Sequence, residues 1–443
     1  MDVIDIILLP VYLGLIYLFA NFIKGKNSGN QVYQRYFIRG LNYKMFGSIA
    51  FASIYLFYYR GGDTINFYTT MKPLYHLFFR NPALYLYFVF TPFSTYPLEC
   101  FYDVYSHGAA YLLRGTASLS TIRIGGVVNL FCFNSYLVCT VVFGFICYIF
   151  VFRAFALFCS IYPKLEKQFA IAFLMIPSVI FWGSGVSKDT IMLGAIFLFI
   201  TSFYQIAITK KRISVNIIWL IISGYTISSI RGFILFSIIP GILLMTAVYY
   251  RNAFKSGLLR ILAGPVFIAV GAVLSFLFIQ GLGNSVQSYN LDSLAQKAEG
   301  FHSWHTYLGE TQGGSAYSLG DDVDYSLAGI LRKAPLALVI CLFGPFVWQI
   351  RNAVMLLSGI ESLVFLFFFF RVFLTGRAYR ALNVLFRDHI VMLCIPIILI
   401  IGIAIGMTSF NYGALVRYRI PIQPLLAVLL IVTNYRINNP NAD

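Results

Sequence analysis

Charged residues are scarce in this chain: they make up 11% of its 443 residues, where a soluble domain carries about 25%. Acids are scarcer still, 16 Asp and Glu against 32 Lys and Arg. With 59% hydrophobic and 18% aromatic residues, a soluble fold is excluded, because too little polar surface remains to face water. The alternating apolar and polar residues of a transmembrane barrel are also missing; the apolar runs are unbroken, as in 141–150 and 364–370. There is no His-Glu-x-x-His, no P-loop, no Gly-x-Ser-x-Gly and no carboxylate-dense motif, so ATP hydrolysis by this chain is not expected. None of the seven cysteines stands in a Cys-x-x-Cys pair. Most lie in apolar runs and read as core-filling thiols, neither a zinc site nor a disulfide framework.

What remains is an all-α polytopic integral membrane protein, read as a single transmembrane domain over 1–443. At about 20 residues per span, the reading gives about eleven transmembrane helices plus one re-entrant segment. Spans are expected at about 3–23, 45–59, 127–152, 169–183, 190–208, 214–230, 232–250, 261–281, 353–370, 389–408 and 420–434. Between the second and third lies an aromatic stretch, 60–125, broken by Pro73, Pro82, Pro92 and Pro97. It reads as an extracytoplasmic region of interfacial helices, whose rings either form an interfacial belt or stack on sugars. Residues 282–333 are the one long hydrophilic segment, an outer loop. The segment 335–350, interrupted at Gly344-Pro345, is taken as re-entrant because that choice keeps Arg371, Arg377, Arg380 and Arg387 on the inner face. The net charge of +16 then follows the positive-inside rule and does not call for nucleic acid. The first residues lack the basic start of a signal peptide and read as a span whose acidic end is outside. The C-terminus falls in the cytoplasm.

Several charged residues fall at the outer ends of these spans. Asp63 follows Gly61-Gly62 after span two; it is either a general base or a helix cap. Lys188 and Asp189 end the stretch Gly183-Ser-Gly-Val-Ser187, and Asp189 either supports a site or caps span five. Arg231 stands between spans six and seven. Arg417 and Arg419 precede Pro421, as a phosphate clamp or an interfacial anchor pair. Cations converging at broken helices suit a phosphate or pyrophosphate, and broken backbone at membrane depth is tolerated where it lines a cavity. Glu361 lies inside a span and either carries protons or pairs with an arginine such as Arg351. In the outer loop, His302 offers a base, alone or with His305.

These stretches resemble the EpsG-like and Wzy-type (O-antigen) polysaccharide polymerases of the GT-C-like membrane glycosyltransferases. Arg60-Gly61-Gly62-Asp63 through Tyr68 looks like the segment after their second helix. Phe181-Trp182-Gly-Ser184-Gly185-Val-Ser-Lys188-Asp189 is similar to their short helix link, and Arg417-Tyr418-Arg419-Ile-Pro421 to the start of their last helix. The stretch Leu342-Phe-Gly-Pro345-Phe-Val-Trp348-Gln349 through Glu361 resembles another, but departs from it with Gly344 for Arg and Gln349 for Glu. Arg231 matches no such motif and rests on topology alone.

The resemblance implies a bacterial inner-membrane enzyme that joins oligosaccharide repeat units carried on undecaprenyl pyrophosphate at the outer face. Asp63 or His302 takes the acceptor proton, while Lys188, Arg231, Arg417 and Arg419 hold the pyrophosphate and Asp189, Arg351 and Glu361 support them. No metal and no cofactor are called for. The partners are the polyprenyl-linked glycan, membrane lipids and unidentified polysaccharide-assembly proteins. Two other readings use the same residues: a flippase or transporter for an anionic lipid or solute, and a transferase using a polyprenyl-phosphate sugar.

Overall fold

A backbone in lipid has to satisfy its hydrogen bonds internally, and this chain does so with helices. The computed structural model describes residues 3–91, 112–113, 115–251, 300, 317, 319, 327–350, 353–374 and 378–439, and there is no strand among them. Six helices among these residues are long and apolar enough to cross a membrane, or seven if a bent pair near the C-terminus forms one span. The chain divides into two compact units, Met1–Ser202 with Ser214–Gly232, and Phe203–Ile213 with Phe233–Asp443.

The first unit holds α1 (Val3–Lys26), α2 (Gln31–Ser53), α3 (Asp63–Arg80), α4 (Pro82–Phe90), α5 (Thr116–Leu130), α6 (Tyr136–Ile161), α7 (Glu166–Ala170) and α8 (Pro177–Trp182). It also holds most of α9 (Lys188–Ala207) and the first half of α10 (Ile213–Tyr250). α6 is central: α1, α2, α5 and α7 pack on it. A ladder of rings joins these helices. Phe37 meets Phe152 edge-on at 4.7 Å, Phe152 meets Phe155 at 5.3 Å, and Phe173 reaches Phe197 at 5.4 Å. Such pairs add about 0.5–1.5 kcal/mol each beyond their buried area. α1 is largely exposed along its length and is tied down at one end by Asp5, which accepts a 2.5 Å hydrogen bond from Ser135 Oγ.

Three expected boundaries move. The second expected span, 45–59, begins earlier and takes in Arg35, Arg39 and Lys44: α2 starts at Gln31, where the Asn30 side chain accepts from the Val32 amide at 3.0 Å, and a π-helical turn, Ile54–Tyr58, continues it. Gln, Arg, Lys, Leu and Met are good helix formers, so this polar stretch has no reason to break. Span three, expected at 127–152, divides instead. The chain turns at Phe133 and Asn134, with φ of 49° and 56°, and Ser135 caps α6 by accepting from the Val138 amide at 3.3 Å. Asn and Ser adopt such turn and cap roles readily, and here they outweigh the apolar run. Span four, expected at 169–183, is broken into α7, a π-helical turn (Ile171–Met175) and α8, which begins at Pro177.

α9 follows the expected 190–208. α10 carries the two segments expected to meet at Arg231, and there its backbone leaves the helical region (φ −145°, ψ 75°). Unbroken, its 38 residues would reach about 57 Å, nearly twice the thickness of a bilayer core.

The second unit holds the other half of α10, α11 (Leu327–Phe343), α12 (Ala353–Phe373), α13 (Ala378–Leu385), α14 (His389–Thr408), α15 (Tyr412–Tyr418) and α16 (Gln423–Asn438). α12, α14 and α16 lie where spans were expected. α11 packs along α14 and ends before a cis Gly344-Pro345 bond and one 3₁₀ turn, Val347–Gln349. Both ends of α14 are secured. Asp388 accepts from the amides of Ile390 and Val391 at 3.0 and 3.2 Å and pairs with Arg436 at 3.0 Å. At the other end Tyr317, from the hydrophilic stretch, donates its hydroxyl to the Gly406 carbonyl at 2.9 Å, one of the carbonyls a helix end leaves unpaired. Burial raises that phenol above its ordinary pKa, so it stays a donor. The span expected at 261–281 and most of the loop 282–333 lie outside the described residues.

Candidate functional site

In the first unit the Arg60-Gly61-Gly62 stretch directs the chain into α3. Arg60 has φ of 51° and Gly62 has φ of 106° with ψ of −177°, a conformation open essentially to glycine alone. Gly62 is the N-cap, and Asp63 is the first helical residue, exposed, beside the positive end of the helix dipole. The cap position is therefore taken by Gly62 and not by Asp63. One turn on, Phe67 lies on the same face as Asp63, and Lys188 Nζ stands 5.4 Å from the centre of its ring. Lys188 also donates to Ser118 Oγ on α5 at 2.9 Å. Asp189 is buried and pairs with Arg231 at 2.7 Å. Ser187 caps α9 through the Thr190 amide at 3.2 Å, which leaves Asp189 to Arg231. Asp63, Lys188, Asp189 and Arg231 thus belong to one unit, and the last three stand where α9 begins and α10 breaks.

Below them lies a cavity of about 230 Å³ among α5, α6, α9 and α10, lined by residues such as Val128, Phe143, Ile146, Ala195, Leu198 and Trp219. Thr190 and Thr226 line it too. Thr190 adjoins Asp189, and Thr226 lies just over a turn before Arg231, so the charged cluster sits at one end of an apolar hollow.

The link 183–187 is buried throughout. Its backbone is held from outside the link: Lys44, buried on α2, donates its ammonium to the Gly183 carbonyl. An isolated lysine inside the small and apolar stretch 40–53 was the available signal. Gly185 sits against Phe51, where an added Cβ would come within 1.9 Å of the ring. Gly185→Ala is therefore expected to destabilise the protein by about 1–3 kcal/mol, read as a lowered unfolding midpoint of the detergent-purified chain. Trimming the ring, in Phe51→Leu with Gly185→Ala, is expected to recover part of the loss.

The other described candidates belong to the second unit. Arg419 is wholly buried; it donates to the Cys341 carbonyl at 3.0 Å, to the Gly344 carbonyl, and to Ser362 Oγ at 2.9 Å. Glu361, also buried, accepts from the Gln423 side-chain amide. Arg417 stacks on the Tyr418 ring at 5.2 Å, on a helix that Asn411 caps through the Gly413 and Ala414 amides. His302, His305 and Arg351 lie outside the described residues. Residues missed in the sequence are Lys44, Ser118 and Phe67; the last two are ordinary in type and gain meaning only from lying beside Lys188. Comparison with protein-family models, curated proteins and solved structures finds no match.

Proposed function

We propose that this chain is a membrane glycosyl polymerase that joins oligosaccharide repeat units carried on a polyprenyl pyrophosphate at the outer face of a bacterial inner membrane. The proposal includes the GT-C-like arrangement of about eleven spans, with the N-terminus outside and the C-terminus cytoplasmic. The observation that carries it is the pairing of a cationic cluster, Lys188 and Arg231, with an apolar cavity at the membrane-spanning helices α6 and α9. A lipid-linked pyrophosphate has this same division, a dianionic head on a hydrocarbon tail.

The acceptor hydroxyl attacks the anomeric carbon of the donor glycan. The new glycosidic C–O bond forms as the bond to the pyrophosphate oxygen breaks, and the polyprenyl pyrophosphate leaves. Asp63 receives the hydroxyl proton. Lys188 and Arg231 meet the charge that develops on the leaving phosphate, where fixed cations act most strongly. Asp189 holds the Arg231 guanidinium in place.

The test is elongation by the purified protein in liposomes supplied with a lipid-linked repeat unit. The expected result is a glycan ladder with release of polyprenyl pyrophosphate, slowed about 100-fold or more in Asp63→Asn. Movement of an anionic lipid across the bilayer without any elongation would replace the polymerase by a transporter.

A further inference from the structure

Between two helices long enough to cross a membrane, α12 and α14, the chain runs through α13 and a short turn. Both flanking helices end there, so this link emerges at a membrane surface. Its three faces differ. Ala381 is buried, and Val384 and Leu385 are half-buried, against the helices of the second unit. Tyr379, Leu382 and Phe386 are 83%, 51% and 62% exposed. Tyr379 and Leu382 stand three apart on one side of α13, and Phe386 follows in the turn just after it. Arg380, Asn383 and Arg387 are exposed as well. Arg380 and Asn383 share a second side of α13, and Arg387 follows in the turn after it. The guanidinium groups of Arg380 and Arg387 have no hydrogen bond or ion pair among the described residues. The one acid of the link, Asp388, is already used by the α14 amides and Arg436.

An apolar stripe next to a basic stripe, on a helix whose third face is docked, is the pattern of a helix lying in the bilayer interface. The geometry points to α13 as a binding site for anionic phospholipid headgroups. Tyr379, Leu382 and Phe386 enter the acyl boundary, and Arg380 and Arg387 hold the headgroup phosphates from above. Two cations at this depth favour an anionic over a zwitterionic lipid by about 10- to 30-fold. This inference is independent of the glycosyl chemistry.

The experiment places a reporter on the stripe. Full-length protein carrying Tyr379→Trp is reconstituted with brominated phosphatidylglycerol or brominated phosphatidylcholine, and quenching is corrected for the four native tryptophans with the unsubstituted chain. The expected result is strong quenching of the added indole, with phosphatidylglycerol preferred about tenfold or more. In Arg380→Gln with Arg387→Gln the preference falls to near unity. On the protein with both arginines, about 0.5 M salt weakens it, because exposed charges are screened; this arm decides the matter if the double variant does not fold. An added indole that neither lipid quenches would show that the stripe is covered by something other than lipid, and would overturn the inference. So would a preference untouched by salt or by loss of the arginines, which would assign the anionic lipid to another face.

Discussion

Arg419→Ala is expected to cost the folded protein about 3–5 kcal/mol, the range for breaking a buried charged network by removing one partner. Its guanidinium is wholly buried, and it serves two backbone carbonyls on one nitrogen and a hydroxyl on the other. Without it the Cys341 and Gly344 carbonyls lose a charged donor where α11 ends. Ser362 Oγ loses the same donor. Arg419→Lys is expected to fail nearly as badly, because an ammonium is a point charge and cannot reproduce the planar fork. The readout is the yield of monodisperse protein after detergent extraction, followed by its unfolding midpoint. A near-normal midpoint for Arg419→Lys would show that charge alone, and not the fork, is what this position requires.

The second large effect falls on Arg231. Replacing it with alanine leaves Asp189 buried and without its 2.7 Å partner, and a loss of about 3–5 kcal/mol is expected. The double substitution Arg231→Gln with Asp189→Asn removes both charges and is expected to regain most of that stability, since a neutral amide pair fits the same space. Activity is expected to behave differently. Elongation is expected to remain at least 100-fold down in the double variant, because the cation proposed to meet the leaving phosphate is still missing. A double variant that recovers both stability and elongation would reduce Arg231 to a structural role.

The spans that were legible in the sequence are those where an apolar run is long and bounded by charge. α9 begins at Lys188-Asp189, α12 carries Arg371 in its last turn, α14 begins after Arg387-Asp388, and the break in α10 falls on the lone Arg231. What was not legible depends on local capping chemistry and on tertiary contacts. The turn at Phe133-Asn134-Ser135 interrupts an apolar run through one cap and two left-handed residues. The polar stretch 31–44 is helical because its residues favour helix and because α6 and α8 bury one side of it. Lys44 is a lone charge in the sequence and gains its role as a buried donor only from α8 ending beside it. The candidate site divides in the same way. Asp63, Lys188, Asp189 and Arg231 were visible as charges out of place. The ring of Phe67, the hydroxyl of Ser118 and the cavity beneath them exist only in the folded unit.

The cluster and the cavity are proposed to hold a lipid-linked pyrophosphate together. Ligand-induced stabilisation of the purified chain measures this directly, comparing a long-chain polyprenyl pyrophosphate with the free polyprenol and with inorganic pyrophosphate. A ligand at 100 times its dissociation constant adds about 2.7 kcal/mol to stability. A clear rise in unfolding midpoint is expected with the lipid pyrophosphate, and much smaller rises with the tail or the head alone. That rise is expected to be lost both in Lys188→Ala, which removes a cation, and in Ala195→Phe, which fills the cavity. Equal stabilisation by polyprenol, or a rise that survives both substitutions, would contradict it.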